Sequence, residues 1–148
     1  MKISGGIKTF KGIAKAFGKL ESEILAKQKL AVAESVVLIH GNAVKSIQAV
    51  GDGTPEMRYD PKRVVSVSKP GDPPNSDTGR LVQSIKFDFK KDGLVGRVGS
   101  NLKYAAWLEF GTERMDPRPW LAPAIEEASD DVAEIFSRNI ANGIKDGT

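Results

Sequence analysis

Leu81-Val-Gln-Ser-Ile85-Lys86-Phe87-Asp-Phe89-Lys90-Lys91-Asp92-Gly93-Leu94-Val-Gly96-Arg97-Val98-Gly99 decides the fold. Apolar residues alternate through Ile85, Phe87 and Phe89, Lys91-Asp92-Gly93 signals a turn, and Leu94 to Gly99 returns. That is the pattern of an antiparallel hairpin, with strands expected over 81–90 and 94–99. On both sides of the hairpin the apolar period lengthens to three and four, the spacing of amphipathic helices. The order helix, helix, arm, hairpin, helix does not alternate as βαβ units do. It predicts an α+β fold, in which long N-terminal helices and a C-terminal helix pack on a small antiparallel sheet.

Upstream, Ile3, Ile7, Phe10, Ile13, Phe17 and Leu20 recur at threes and fours with lysines between them. This predicts a helix over residues 6–17, stopped by Gly18. A basic amphipathic helix also suits a membrane surface or a partner's groove, but the expectation is that its stripe packs on the protein's own core. A second helix is expected over 20–50, with Leu25, Val32, Val36, Ile39, Ala43, Ile47 and Val50 in one stripe. Ile24, Ala31 and Leu38 widen the stripe, and Gly51 caps the helix. Gly41 inside it costs up to about 1 kcal/mol relative to alanine, and permits either a bend or a close helix–helix approach.

Residues 51–80 are rich in Gly, Pro, Asp and Ser, with one β-like patch at Arg63-Val-Val-Ser-Val-Ser68. So long a segment with so little pattern is unusual inside a compact domain. It reads either as a protruding arm or β-hairpin that orders when a partner covers it, or as a mobile surface loop. Downstream, Tyr104 to Phe110 predicts a short helix closed by Gly111. From Ala124 a last helix carries Ile125, Ala128, Val132, Ile135, Phe136 and Ile140 on one face, with Pro123 in its first turn and Gly143 at its end.

The 148 residues suit one domain, 1–148, with an extended arm at 52–77; 40% are hydrophobic and 28% charged, the balance of a soluble globular protein. The absence of cysteine removes disulfides, zinc thiolates and thiol nucleophiles, and fits folding in a reducing cytoplasm. No unbroken apolar run approaches a membrane span, and the first residues lack the apolar core of a secretory leader. His40, the only histidine, has no carboxylate within one helical turn, and reads as a partly buried helix residue. Glu126-Glu127 and Asp130-Asp131 complement the dipole of the last helix. Gly93, Gly96 and Gly99 lie on and around a strand, where they make no dinucleotide fingerprint. No catalytic residue, metal ligand or cofactor is expected.

The net charge of +3 is unevenly spread: residues 1–19 hold five lysines and no acid, while 121–148 hold six acids against Arg138 and Lys145. The ends are complementary, either as contacts within or between subunits, or as two faces of a ring, or as two solvated surfaces that never meet. Lys8, Lys11 and Lys15 at the start, and Lys86, Lys90 and Lys91 at the hairpin, are candidates for contact with DNA or a partner. A nucleic-acid-binding module built on them is the alternative function. Because the total charge is modest and the aromatics sit at core positions, incidental contact with passing DNA fits better than recognition.

Two motifs carry a family resemblance. Pro70-Gly-Asp-Pro-Pro-Asn-Ser-Asp-Thr78-Gly79-Arg80-Leu81-Val-Gln-Ser-Ile85 is the first. Val98-Gly99, Tyr104-Ala105, Glu109-Phe110-Gly111-Thr112, Arg118-Pro119, Leu121 and Pro123-Ala124 form the second. In order and spacing they resemble the gene-product-10-like neck proteins of long-tailed phages and prophages, also called head–tail joining or tail-completion proteins. The resemblance spans almost the whole chain. Trp120, where the family more often has Phe, and Met115-Asp116 depart from it.

The resemblance implies a structural virion protein, present in the host cytoplasm during assembly, that forms a homo-oligomeric ring at the head–tail junction. Its partners would be a portal, adaptor or head-completion protein on one side and the tail tube or tail terminator on the other, around the DNA channel. No cofactor and no membrane are implied. The motif residues assigned to assembly are Thr78, Gly79, Arg80, Leu81, Tyr104, Trp107, Glu109, Phe110, Gly111, Arg118, Pro119 and Trp120. Physically, Thr78 to Leu81 reads as a turn into a strand. Glu109, at the unfavourable end of a helix dipole, is expected to pair with Arg118, ahead of Arg97 or Arg114, and so to pin the 111–119 loop beneath the last helix. Trp107, Phe110 and Trp120 are expected to pack the short helix onto the sheet and the last helix.

Overall fold

A computed structural model describes residues 4–49, 51–59 and 61–148. Lys2, Ile3, Val50 and Asp60 lie outside the described residues, as do the side chains of Ile7 and Lys8. The elements run α1 (Ser4–Gln48), β1 (Gly53–Tyr59), β2 (Lys62–Ser68), α2 (Arg80–Ser84), β3 (Ile85–Phe89), β4 (Gly96–Ser100), α3 (Lys103–Phe110) and α4 (Ala122–Gly147). The fold is α+β: a long N-terminal helix and a C-terminal helix with two small antiparallel hairpins, β1–β2 and β3–β4.

The two N-terminal helices expected from the sequence are one. α1 runs unbroken for 45 residues, a rod of about 68 Å. Gly18 does not stop it, because an exposed glycine among good helix formers costs only about 1 kcal/mol and brings no steric break. Gly41 makes no close approach, since a Cβ there would meet nothing within 4 Å. By length and apolarity alone, Phe10–Gln48 would suffice to cross a membrane. Within that stretch, however, Ala31, Ser35, Val36, Ala43 and Ile47 are buried in the protein's own packing.

α4 lies antiparallel along α1, with its last turn against Leu20 and its first turn sharing a core with Ala43. The contact line is made of small residues: Ala124, Ala128, Asn139, Gly143 and Gly147 are the buried positions. A Cβ on Gly143 would stand 3.2 Å from the Ile24 Cα, and one on Gly147 2.9 Å from the Leu20 Cα. Gly143 therefore serves close packing, and the helix continues past its expected end. The expected face is buried in part: Ala128 is fully buried, Val132, Ile135, Phe136 and Ile140 are half-buried, and Ile125 is exposed. A polar knot sets the register. The Glu34 carboxylate accepts from Arg138 Nη2 at 2.9 Å and from Asn139 Nδ2 at 3.1 Å, and Asn139 Nδ2 also reaches the Ile135 carbonyl at 2.9 Å. Nearer the helix end, Lys27 Nζ sits 2.9 Å from Asp146. The hydrogen bond and charge of that carboxylate raise the Lys27 pKa above its ordinary 10.5.

β3 and β4 pair from Ile85↔Ser100 to Phe89↔Gly96 and pack on α1. The strand expected to start at Leu81 starts at Ile85, because residues 80–84 form α2 instead. Gly79 takes the left-handed conformation (φ 74°) and its carbonyl accepts from Gln83 N at 3.0 Å. That turn sends Leu81 inward to Ala43, Ile47, Ile85, Ala105, Trp120 and Ala124, the buried core. His40 is half-buried, as expected: its Nε2 lies 3.3 Å from the Ile85 carbonyl and its ring meets Phe87 edge-on at 5.3 Å. Residues 51–80 contain the β-hairpin rather than a patternless loop. Its pairing runs from Gly53↔Ser68 to Tyr59↔Lys62.

Candidate functional site

The base of the β1–β2 arm, the proline-rich segment 70–80 and the loop between α3 and α4 converge at one junction. Glu109 sits at its centre, at the end of α3, half-buried. One carboxylate oxygen accepts from Trp120 N (2.8 Å) and Leu121 N (3.0 Å), and the other from Ala122 N (2.8 Å). No side chain next to the start of α4 caps it; the acid is delivered from another helix, where the charge meets the orphan N–H groups and the positive end of the dipole. The expected Glu109–Arg118 ion pair is not formed. The loop is pinned as anticipated, but by backbone donors. Arg118 turns the other way, its Nε donating to the Ser68 carbonyl at 3.0 Å, while its backbone N reaches Leu108 O at 2.7 Å.

Gly111 allows the loop to fold back. Its φ is 75°, and a Cβ there would stand 2.8 Å from the Met115 carbonyl. Trp120 is 3% exposed and wedges between α3 and α4, donating from Nε1 to Ala105 O at 3.1 Å. Trp107 and Phe110 do not join it: they are 54% and 81% exposed, on one side of α3. Their spacing suits a helix face, but that face points away from the core. Thr78 Oγ1 lies 3.5 Å from Arg80 N, and Arg80 is exposed. Tyr104 and Pro119 are half-buried.

Residues outside the expected set fasten the arm. Arg63 on β2 forks onto Asp77, with Nε–Oδ1 at 3.0 Å and Nη2 at 2.8 and 2.9 Å from the two oxygens. Asn75 Nδ2 donates to the Ser66 carbonyl at 3.2 Å, and its Oδ1 is 3.4 Å from Gly51 N. Gly71 N donates to Pro117 O at 2.9 Å, joining the same segment to the α3–α4 loop. Asn75 and Asp77 belong to the first motif, where polar residues among prolines were the available signal. Between arm and body lies a cleft of about 420 Å³, lined by Ile47, Pro74, Leu81, Tyr104, Leu108 and Arg118. Ser68 is buried beside it, and its hydroxyl has no partner among the described residues.

The lysines do not form one patch. Lys11 and Lys15 are exposed on α1 before α4 begins to cover it, and Lys86, Lys90 and Lys91 are exposed on the β3–β4 hairpin. The tip of that hairpin lies by Lys29, about 21 Å along α1 from Lys15. Among the described residues no cluster of His, Asp and Glu is arranged to hold a metal.

What the junction does is mechanical: it clamps an arm, a capped helix and a turned-back loop into one piece while leaving aromatic and apolar faces bare. These are the features of a structural subunit. The chain belongs to the HK97-gp10-like family, whose model, described as "Bacteriophage HK97-gp10, putative tail-component", matches residues 11–111. Membership makes it a structural phage tail component. The match covers the first motif and ends at Gly111, before Arg118 to Ala124. Neither the curated proteins nor the solved structures yield a match to the chain.

Proposed function

We propose that the protein is a ring-forming subunit of the phage neck, one domain with an arm at 52–77. The ring joins the portal or head-completion layer to the tail tube or terminator around the DNA channel. The observation that carries this reading is surface area. The chain exposes 10536 Å², whereas a compact monomer of its mass, 16.0 kDa, exposes about 7,400 Å². The excess of roughly 3,100 Å² is about twice what two standard interfaces, at about 800 Å² per partner each, take from one subunit, which leaves room for a contact with each neighbour in a ring. Exposed Trp107, Phe110, Tyr59 (82%) and Val64 (63%) stand on that surface and are the residues this reading assigns to its contacts. Tyr59 and Val64 lie on the arm, which reaches a neighbouring subunit or the adjoining layer in this reading.

Cryo-electron microscopy of purified particles with cyclic averaging is the test. A ring of this chain at the head–tail junction, with residues 52–77 on an adjoining subunit, is the expected result. Its absence from the neck refutes the location. Tight, steeply salt-dependent DNA binding by the monomer would favour the nucleic-acid module instead.

A further inference from the structure

The β3–β4 hairpin covers only part of the apolar surface it lies on. Ile85, Phe87 and Phe89 alternate onto the α1 side, where the His40 ring meets Phe87, while Lys86, Asp88 and Lys90 point away and are exposed. β4 lies over Val36, which a Cβ on Gly96 would strike, and β3 lies on the His40 side. Around α1, Val36, His40, Val37 and Leu30 follow one another in steps of about 40°, 60° and 20°. Val37 and Leu30 therefore lie just past β3, under the position of a third strand. They are 54% and 46% exposed, and Phe87 and Phe89 at the edge above them are 43% and 42% exposed. Among the described residues β3 pairs with β4 alone.

The arm presents the matching edge. Among the described residues β1 pairs with β2 alone, and a two-stranded hairpin is only marginally stable by itself. Its faces differ: Arg58, Val65 and Val67 turn to the cleft against the chain's own body, whereas Met57, Tyr59 and, opposite Met57, Val64 form the outward, exposed face. Along β1, Glu56-Met57-Arg58-Tyr59 alternates acid, apolar, base, apolar; along β3, Phe87-Asp88-Phe89-Lys90 alternates apolar, acid, apolar, base. Lys90 continues the strand, its backbone N donating to Val95 O at 2.9 Å. Set antiparallel, Tyr59 stands opposite Phe87, Arg58 opposite Asp88, Met57 opposite Phe89 and Glu56 opposite Lys90. Directly opposite residues share a face. Both ion pairs thus form on the side away from α1, and both apolar pairs on the side facing Leu30 and Val37, so the two kinds of contact form together. Glu56 and Arg58, 3.6 Å apart and about half exposed in the free chain, exchange partners.

We infer that β1 of one copy adds to the free edge of β3 of the next, making a four-stranded sheet in the order β2, β1, β3, β4 across the two copies. Met57 and Tyr59 cover Phe87, Phe89, Leu30 and Val37 of the neighbour. The arm's own body stays on the opposite, charged side, clear of the neighbour's α1. A parallel register would match the same residue types, but antiparallel ladders are the more stable per residue. The contact joins two different edges, so it is heterologous and propagates from copy to copy, closing into a ring when the rotation allows. It rests on the homo-oligomer of the proposed function and names where the arm goes.

The test uses full-length variants, with circular dichroism to establish wild-type helicity and sedimentation to read association. Arg58→Asp sets an acid against Asp88, and Asp88→Arg sets a base against Arg58; each alone should raise the dissociation constant on the order of 10-fold. One chain carrying both restores the attraction at every contact and should return to within about 3-fold of the wild type. Val37→Glu, on an exposed helix position, should weaken association on the order of 100-fold without unfolding the chain. Direction is read by disulfides, since the chain has no cysteine of its own. Glu56→Cys with Lys90→Cys should give a ladder of linked copies on oxidation, and Glu56→Cys with Lys86→Cys should not. The inference is overturned by Val37→Glu or single charge variants that associate like the wild type, or by a double variant that does not recover. Cross-linking through residue 86 in place of 90, a species that stops at the dimer, or a wild type monomeric up to its solubility limit overturns it as well. The neck location is read separately by particle imaging: a ring at the junction whose arms lie elsewhere sinks the inference and leaves that location standing.

Discussion

Glu109→Ala isolates the borrowed cap of α4. The substitution removes the acceptor for three N–H groups at Trp120, Leu121 and Ala122. Ala122 is exposed, so its N–H re-solvates at little cost, whereas Trp120 is buried and Leu121 half-buried. A net hydrogen bond to a charged group contributes about 1.5–3 kcal/mol. Two such losses, partly offset by water reaching Leu121, give a destabilisation of about 3–4 kcal/mol. At this chain length that corresponds to a fall in melting temperature of about 8–12 °C. Glu109→Gln keeps one acceptor oxygen and loses the charge, and should fall about half as far. Scanning calorimetry measures the shift, and amide exchange at Trp120 and Leu121 locates it. An unchanged melting temperature, or amides at 120 and 121 as protected as in the wild type, would refute the capping argument.

Gly111→Ala must either leave the positive φ or drive its Cβ against the Met115 carbonyl; urea unfolding should show a loss of about 3 kcal/mol, and a loss below about 1 kcal/mol would mean that the loop relaxes freely. Asp77→Ala removes the fork to a partly exposed Arg63, so the global loss should be only about 0.5–1 kcal/mol. Hydrogen exchange in residues 53–68 should nevertheless rise clearly while α1 and α4 stay unchanged; exchange in the arm equal to wild type would show that Asn75 and Arg118 hold it without the fork.

The parts of the fold that were legible in the sequence were those with a clean period. The β3–β4 hairpin and its Gly93 turn, the short helix closed by Gly111 and the last helix all follow from spacing. What escaped has local reasons. Gly18 looks like a stop, but a glycine ends a helix only when the following residues favour another conformation, and Lys19, Leu20 and Glu21 do not. Leu81-Val-Gln-Ser84 is too short to distinguish two periods; the left-handed Gly79 and the burial of Leu81 decide for a helix. On α4 the large apolar residues suggested the packing face, whereas backbone proximity selected alanine and glycine. The sequence offers Glu109 only side-chain partners to read, because the backbone N–H groups that hold it leave no mark in a sequence. Aromatic character alone points Trp107 and Phe110 to the core, and only the orientation of α3 shows them facing outward.

The antiparallel seating of α4 on α1 also governs events on the ribosome. Leu20 is made 127 residues ahead of the Gly147 that covers it. At about 5–20 residues per second, that part of the α1 seam waits roughly 6–25 s for its cover. During this interval the nascent helix must stay in solution by its own means, and the lysines interleaved with its apolar residues supply the charge that keeps it there.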